Sequence, residues 1–475
     1  MKKGKGVDRF FTRIENRSGA KMVSENRIEK SEINAILEQH QIWLDTGGKQ
    51  GTRADLRGRP FCICMSFDDL TILIISPEYE IFSNWRKNMI TKHKIIFGDS
   101  NSMEELTDES IDLVVTSPPY PMIEMWDQIF ASQNEKIGRA LKKNDGPAAF
   151  ELMHQELDKV WGELYRVLKE GGIACINIGD ATRTINSHFA LYTNHSRIHA
   201  HLQKLGFSAL PPILWRKQTN APNKFMGSGM MPPGAYITLE HEYILMLRKG
   251  NKKEFKTNEE KKIRRESSFF WEERNVWFSD VWIDLKGTSQ NLFDTKIRGR
   301  SAAYPFELPY RLITMFSIKG DTILDPFFGI GTTMYAAMAT ARNSIGYEID
   351  RNLKEQIISK FSGIVDFSNK RIEERLQKHL VFVDDRFQTK GKFKYTNNYY
   401  LFPVITRQET DLIINELLSI DQIDLDSFEV TYSDKPQKEY VGAWDEYILS
   451  DSDIKDMKKR IASKKRKNYE QQQLF

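Results

Sequence analysis

Residues 89–364 of this 475-residue chain predict an α/β fold: an open, mostly parallel sheet covered by helices on both faces. Three observations carry that expectation. Short apolar runs alternate with stretches of helical periodicity, several runs are apolar throughout, and a Gly-Ile-Gly turn falls where one run ends and a helix begins. In chain order, HKIIFGD reads as a strand ending in Gly-Asp, and SIDLVVTSPPY as a strand running into a proline-locked loop. His154–Leu168 places Leu157, Val160, Trp161, Leu164, Val167 and Leu168 at helical spacing, with Gly171-Gly172 as the stop. IACINIGD then reads as a buried strand, HSRIHAHLQKLGF as a helix, and ALPPILWRK and HEYILMLRK as two further strands. After an interruption the rhythm returns. Pro309–Phe316 suggests a helix, DTILDPFF a strand, GIGTT a turn, MYAAMATAR a helix and SIGYEID another strand.

The flanks read differently. Residues 1–88 contain a helical stretch around Ile33–Leu44, a Gly-rich polar link and an apolar stretch from Phe61 to Ile75, with no catalytic pattern. Because the α/β text opens at Met89, residues 1–88 are expected to be dispensable or an over-extended start. Residues 89–216 form a first half of the α/β domain and 301–364 a second. Between them, 217–300 breaks the rhythm with Gly, Pro, Met, basic and aromatic residues. From 365 to 475 the pattern weakens into a charged helix (NKRIEERLQKH), a Tyr-rich stretch and an acidic-then-basic tail, read as an appended piece of unknown role.

Composition narrows the function classes. An apolar share of 40% and a charged share of 28% are those of a soluble globular protein, and no apolar run approaches the roughly 20 residues that cross a bilayer. The basic first residues lack the apolar stretch of a secretory signal, so the cytoplasm is the expected location, with no membrane partner. Three cysteines offer neither a disulfide framework nor a zinc site, and Cys62-Ile-Cys64 reads as strand. No metal is expected. Lys and Arg number 69 against 65 Asp and Glu, a net charge of +4 that points only weakly to a polyanion. Basic runs at 248–265 and 455–467 are either solvated faces or nucleic-acid contacts. No segment shows the two-carboxylate and lysine arrangement of a nuclease.

Two short segments carry chemistry. In Asp325-Pro326-Phe327-Phe328-Gly329-Ile330-Gly331-Thr332-Thr333, a strand ends and a helix starts, which is the crevice where open α/β sheets bind nucleotides. Gly329 and Gly331 permit positive φ and close approach of a ligand, while the helix start at Thr332 offers free N–H groups to an anionic portion. Glu348, about 19 residues beyond Gly329 at the end of the next strand, can accept hydrogen bonds from ribose hydroxyls. An adenosine-type pocket follows. A dinucleotide site is the alternative, although Met334 stands where a third glycine would pack.

The second segment is Thr116-Ser117-Pro118-Pro119-Tyr120. Ser117 Oγ and a main-chain carbonyl held by Pro118-Pro119 can accept both N–H groups of an exocyclic amino nitrogen, which orients it and stabilises developing charge. Tyr120 can stack on a base taken out of a duplex. Read blandly, the same residues are a turn closing a strand.

With both segments in place, residues 90–360 resemble the amino-methyltransferases of bacterial restriction–modification systems, of the permuted class in which the catalytic loop precedes the cofactor loop. TSPPY comes first and DPFFGIGTT follows roughly two hundred residues later. KIIFGDS is similar to the family's adenine-contacting segment, and AYPFELPYRLITMFSIKGDTILDPF to its lead-in, with Tyr304-Pro305 where His-Pro is common. The resemblance implies a Rossmann-like, circularly permuted sheet and the cofactor S-adenosyl-L-methionine. It implies that Asp99, Asp325, Phe327, Gly329, Gly331, Thr332 and Glu348 bind that cofactor and that Ser117, Pro118, Pro119 and Tyr120 are catalytic. It further implies that the strands carrying Asp99 and Ser117 neighbour those carrying Gly329 and Glu348, and that 217–300 reads the DNA sequence. Within that segment the aromatics fit DNA contact or a small core equally. The implied partners are duplex DNA with a flipped target base and, functionally, a cognate restriction endonuclease. Ser117 in the first loop position is typical of cytosine N4 methylation, whereas Asp or Asn there is more usual for adenine N6. Cytosine C5 methylation needs a thiol nucleophile, and no cysteine occupies such a loop. A non-catalytic DNA-binding protein of the same fold and a nicotinamide enzyme are the competing expectations.

Overall fold

The computed structural model describes residues 62–67, 70–75, 89–217, 226–285, 304–450 and 452–453. The helix expected around Ile33–Leu44 and the basic tail 455–467 lie outside these residues. The chain divides into two compact units, Met1–Trp85 and Arg86–Phe475. In the first, Cys62–Phe67 pairs antiparallel with Leu70–Ile75, which puts Cys62 and Cys64 on a strand.

The second unit is built on a ten-stranded sheet. Its strands in chain order are β1 (Ile90–Phe97), β2 (Ile111–Thr116), β3 (Leu168–Ile178), β4 (Phe207–Arg216), β5 (His241–Lys249), β6 (Val281–Trp282), β7 (Thr322–Asp325), β8 (Asn343–Glu348), β9 (Leu417–Asp424) and β10 (Ser427–Tyr432). Across the sheet they stand β6-β4-β5-β3-β2-β7-β8-β1-β10-β9. The five from β3 to β1 in this order pair parallel with their neighbours. The helices that matter below are α1 (Gly146–Val167), α2 (Asn194–Lys204), α3 (Trp271–Trp277), α4 (Glu307–Phe316), α5 (Thr332–Ala339) and α6 (Ile364–Lys390). No helix among the described residues is long and apolar enough to cross a membrane.

Strand β2 shows why the centre is parallel. All six of its residues are buried: Val114 enters the core shared with α1, while Leu113 and Val115 enter the one shared with α4 and α5. A strand covered on both faces needs a continuous apolar run, and IDLVVT nearly supplies one. The neighbours expected from the motif order are the ones formed. Ile323↔Leu113 joins β7 to β2 and Glu348↔Phe97 joins β8 to β1, so the ends of all four strands share one edge of the sheet.

Three segments depart from expectation. Helix α1 ends at Val167, and Gly171-Gly172 lies inside β3 rather than at a helix stop. Gly171 has φ +81°, and a Cβ there would come within 2.6 Å of the Lys253 amide nitrogen, so close backbone contact explains the glycine. Residues beyond 364 are not appended to the domain but complete it: β10 pairs antiparallel with β1, from Ser427↔Lys94 to Thr431↔Ile90. Buried Lys319 fastens this part by donating to Ile413 O (2.6 Å) and Asn415 Oδ1 (2.5 Å), and burial pulls its pKa down to about 7. Of segment 217–300, β5 is an inner strand of the sheet, and around α3 Phe270, Trp277 and Trp282 are core while Trp271 and Phe278 stay exposed. Phe270 stacks on His379 of α6 at 4.0 Å, Arg375 clasps Glu273, and Trp277 and Trp282 are buried. What remains of that segment at the surface, among the described residues, includes a hairpin at 226–236.

Candidate active site

The Thr116–Tyr120 segment leaves the carboxyl end of β2, and the glycine turn leaves the adjacent β7. One carboxylate joins them. Asp325 Oδ1 accepts from Thr116 Oγ1 (2.6 Å) and from the Phe327 amide (3.1 Å), and Oδ2 accepts from Thr333 Oγ1 (2.6 Å) and Tyr304 Oη (3.4 Å). Tyr304 and Thr333 also hydrogen-bond each other. Burial raises the Asp325 pKa, and its four donors act against that rise. Its oxygens are therefore spent on the protein, and Asp325 fastens the two loops together. Tyr304, the departure from the family's lead-in, completes this joint.

The turn itself has the backbone its glycines allow. Gly329 has φ +53° and Gly331, the N-cap of α5, has φ +83°. A Cβ added at Gly329 would meet no atom within 4 Å, so the main chain there faces open space that a ligand can enter. Phe328 fills the other side. It lies so close over Gly346 of β8 that a Cβ at that position would be 1.9 Å from its ring. Phe327 is half-buried and meets Trp161 edge-on at 6.0 Å.

Glu348, at the end of β8, accepts from the Gly329 amide (2.7 Å) and the Asp350 amide (2.8 Å). Burial nonetheless pushes its pKa up to about 7, because two amide donors do not replace the lost water. Asp99 stands just beyond β1 on the same edge, exposed, with its carboxylate accepting from Asn101. Asp99, Glu348, Gly329, Gly331 and Thr332 thus line one stretch of the sheet edge, with Ser117 on the next strand over.

Around Ser117 lies a network that motif reading missed. Ser117 Oγ donates to Tyr120 Oη (3.2 Å), and Tyr120 Oη donates to Glu242 Oε2 (3.0 Å). Asn177 Nδ2 donates to both Tyr120 Oη (2.9 Å) and Glu242 Oε2 (2.7 Å), while Lys217 Nζ reaches Glu242 Oε1 at 2.9 Å. The direction is forced. A carboxylate only accepts, so Tyr120 must give Glu242 its proton and can only receive from Ser117. Burial and the Glu242 charge push the Tyr120 pKa well above its usual 10, so it remains a phenol. The Ser117 hydroxyl proton is thereby turned inward and its lone pairs are left for another donor. The Oδ1 atom of Asn177 is buried and has no partner among the described residues.

Glu242 arrives because β5 runs antiparallel to β3, bringing its first residues beside the last residues of β3 through Tyr243↔Ile178. The signals for this network were present in the sequence as an Asn inside the apolar IACINIGD and a Glu opening HEYILMLRK. Neither points to a partner.

Comparison with known proteins gives concordant results. A family model for DNA methylases of the N6/N4 type matches residues 111–360. The chain is 52% identical over 353 residues to the type II methyltransferase M.MthZI of Methanothermobacter thermautotrophicus, an alignment covering 74% of this chain and 98% of that one. It is 51% identical over 284 residues to the type II methyltransferase M.MjaI of Methanocaldococcus jannaschii, covering 58% and 92%. Among solved structures, the putative DNA modification methylase TTHA0409 of Thermus thermophilus in complex with S-adenosyl-L-methionine is 30% identical, covers 57% of this chain and 94% of that chain, and superposes with a TM-score of 0.45.

Proposed function

The chain belongs to the N6/N4 DNA methylase family, and from that membership we propose that it transfers a methyl group from S-adenosyl-L-methionine to the N4 amino group of cytosine in duplex DNA. Its role would be the modification arm of a restriction–modification system, a reading supported by two type II methyltransferases more than half identical to it. The observation that carries the proposal is the Asp325 joint, which holds an acceptor loop and a glycine turn on adjacent strands.

The residues present fit the cofactor. The open main chain at Gly329, the left-handed turn at Gly331 and the start of α5 would take its anionic end, while Glu348 would accept ribose hydroxyls and Asp99 would lie toward the base. When bound, this cofactor supplies an electrophilic methyl group. The chain's own part is to hold the target amine. Ser117 Oγ, with its lone pairs directed outward, and a carbonyl of the Pro118-Pro119 segment would accept the two N–H groups and favour tetrahedral nitrogen. Tyr120, Glu242 and Lys217 would keep Ser117 in its accepting orientation. A serine in the first loop position favours cytosine over adenine.

Expression in a methylation-free host followed by base-modification sequencing tests this reading. The expected result is N4-methylcytosine at one sequence motif. N6-methyladenine would overturn the choice of base, and unmodified DNA the enzymatic reading.

Glu348 adds a pH dependence. Ribose hydroxyls donate to a carboxylate, so cofactor binding favours the ionised form of a group that titrates near 7 in the free protein. Affinity is therefore expected to rise with pH by up to about tenfold per unit below 7 and to level off above it. Calorimetry should record proton release on binding at about pH 6, and the Glu348→Gln variant should bind weakly with a flat profile. A flat wild-type profile would remove Glu348 from the binding role.

A further inference from the structure

Resting on the reading above, we propose that the tip of the 226–236 hairpin, Met230-Met231, is a wedge that enters the duplex beside the catalytic loop and fills the space left by the extruded base. In a paired base one N–H of the amino group is held by the pairing partner and the faces of the nitrogen are covered by stacked neighbours, whereas Ser117 is half-buried in the protein. The base must therefore leave the stack. The vacancy is costly unless an apolar side chain takes it, a use made of Met, Leu, Ile and Phe in other DNA-bending proteins.

The hairpin is placed for this. It belongs to the connection from β4 to β5, whose ends pair at His241↔Arg216, and it leaves the sheet at the edge reached by Tyr243↔Ile178 and followed by the Ser117 loop. Lys217 and Glu242, at the two ends of this connection, contact each other within the Ser117 network. At the tip Met230 is 85% exposed and Met231 70%, and just past the base Ile237 is 89% exposed, so large apolar side chains stand in solvent on the connection whose two ends meet in the Ser117 network.

The tip is also built to hold them out. Ser228 N donates to Gly234 O (2.9 Å), Met231 N donates to Ser228 O (3.3 Å), and Ser228 Oγ closes on Met231 O. Gly227 has φ +66°, and a Cβ on it would strike Gly234 O at 2.1 Å, so the tight crossing requires glycine. At the base of the hairpin the Tyr236 ring stacks on Phe189 at 4.3 Å with 10° between planes, which ties it to the hairpin Ala181–Ile185/His188–Tyr192 that follows β3. Its charge suits the same partner. No Asp or Glu occurs between Lys217 and Glu240, in a chain that is 28% charged, and Glu240 itself is paired with Arg216, so the hairpin carries no carboxylate to oppose phosphates.

The test compares the Met230→Ser/Met231→Ser double variant with wild type on two duplexes carrying the motif found by sequencing. One is fully paired, and the other has the target base opposite an abasic site. A wedge predicts that methylation of the paired duplex falls by about tenfold or more while that of the unpaired target is preserved, and that Met230→Leu/Met231→Leu restores the paired rate. Equal loss on both duplexes, with or without a change of mass in solution, would overturn the wedge in favour of folding, recruitment or self-association. An unchanged rate on the paired duplex would do the same. If wild type methylates neither duplex, the enzymatic reading fails first and takes the wedge with it.

Discussion

Methyl transfer by a Ser117→Ala variant is expected to fall by about 10²–10³-fold, while cofactor affinity and thermal midpoint stay close to wild type. The size is that of removing one preorganised hydrogen-bonding group aimed at charge developing in a transition state. Selectivity comes from the geometry. Ser117 is half-buried and makes a single 3.2 Å bond to Tyr120, so its loss costs the fold little. The cofactor side is carried by other strands, where Glu348 and Gly329 hold each other at 2.7 Å. Tyr120→Phe supplies the graded control. It breaks the relay to Glu242, frees the serine hydroxyl to rotate, and should lower kcat by a smaller factor without touching cofactor affinity. Single-turnover rates with calorimetry of cofactor binding measure both quantities. A Ser117→Ala enzyme that keeps more than about a tenth of wild-type kcat would refute the role given to Ser117.

What the sequence made legible was what local stereochemistry dictates. The Pro118-Pro119 pair, the two glycines at positive φ and an acidic residue ending the next apolar run each declare themselves within a few positions. The family resemblance carried by their order implied that the Asp99 and Ser117 strands neighbour the Gly329 and Glu348 strands, and the structure pairs β1 with β8 and β2 with β7. The Ser117–Tyr120–Glu242–Asn177 network stayed hidden because, beyond the Ser117–Tyr120 bond, its bonds span 57 to 122 positions, and a polar residue in an apolar strand does not announce its partner. The C-terminal strands were missed for a related reason. SFEVTY alternates between half-buried and buried, as a strand covered on one face should, but its place in the sheet depends on β1, more than 300 residues earlier. LLSIDQID, at the sheet margin, is mostly exposed and carries little periodic signal. The aromatics at 269–282 were ambiguous between DNA contact and core, and their companions are α6 residues a hundred positions away.

The joint at Asp325 supplies the second large expected effect, and here stability and rate move together. Asp325→Ala leaves the Thr116 hydroxyl and the Phe327 amide without their acceptor in a buried place, and reduces Thr333 and Tyr304 to their bond with each other and a 3.3 Å contact of Thr333 to Val115 O. Unsatisfied buried donors cost about 1–3 kcal/mol each, so a loss of roughly 3–5 kcal/mol is expected, which for a unit of this size lowers the thermal midpoint on the order of 5 °C. The rate should fall further than that destabilisation requires. With Thr116 released from Asp325, the strand end bearing Ser117 is no longer fixed against the strand end bearing Gly329, and a misplacement of about 1 Å between reacting groups is worth about 10²-fold. Asp325→Asn separates the two effects. It keeps the shape and one carbonyl acceptor, so the midpoint should largely recover, whereas its amide cannot accept from the hydroxyls now facing it and the rate should recover only partly. A double-mutant cycle with Thr116→Val isolates the link between the loops. A coupling energy of at least about 0.5 kcal/mol in both stability and activation free energy is expected, and additivity in the rate would mean that Asp325 holds the cofactor turn alone.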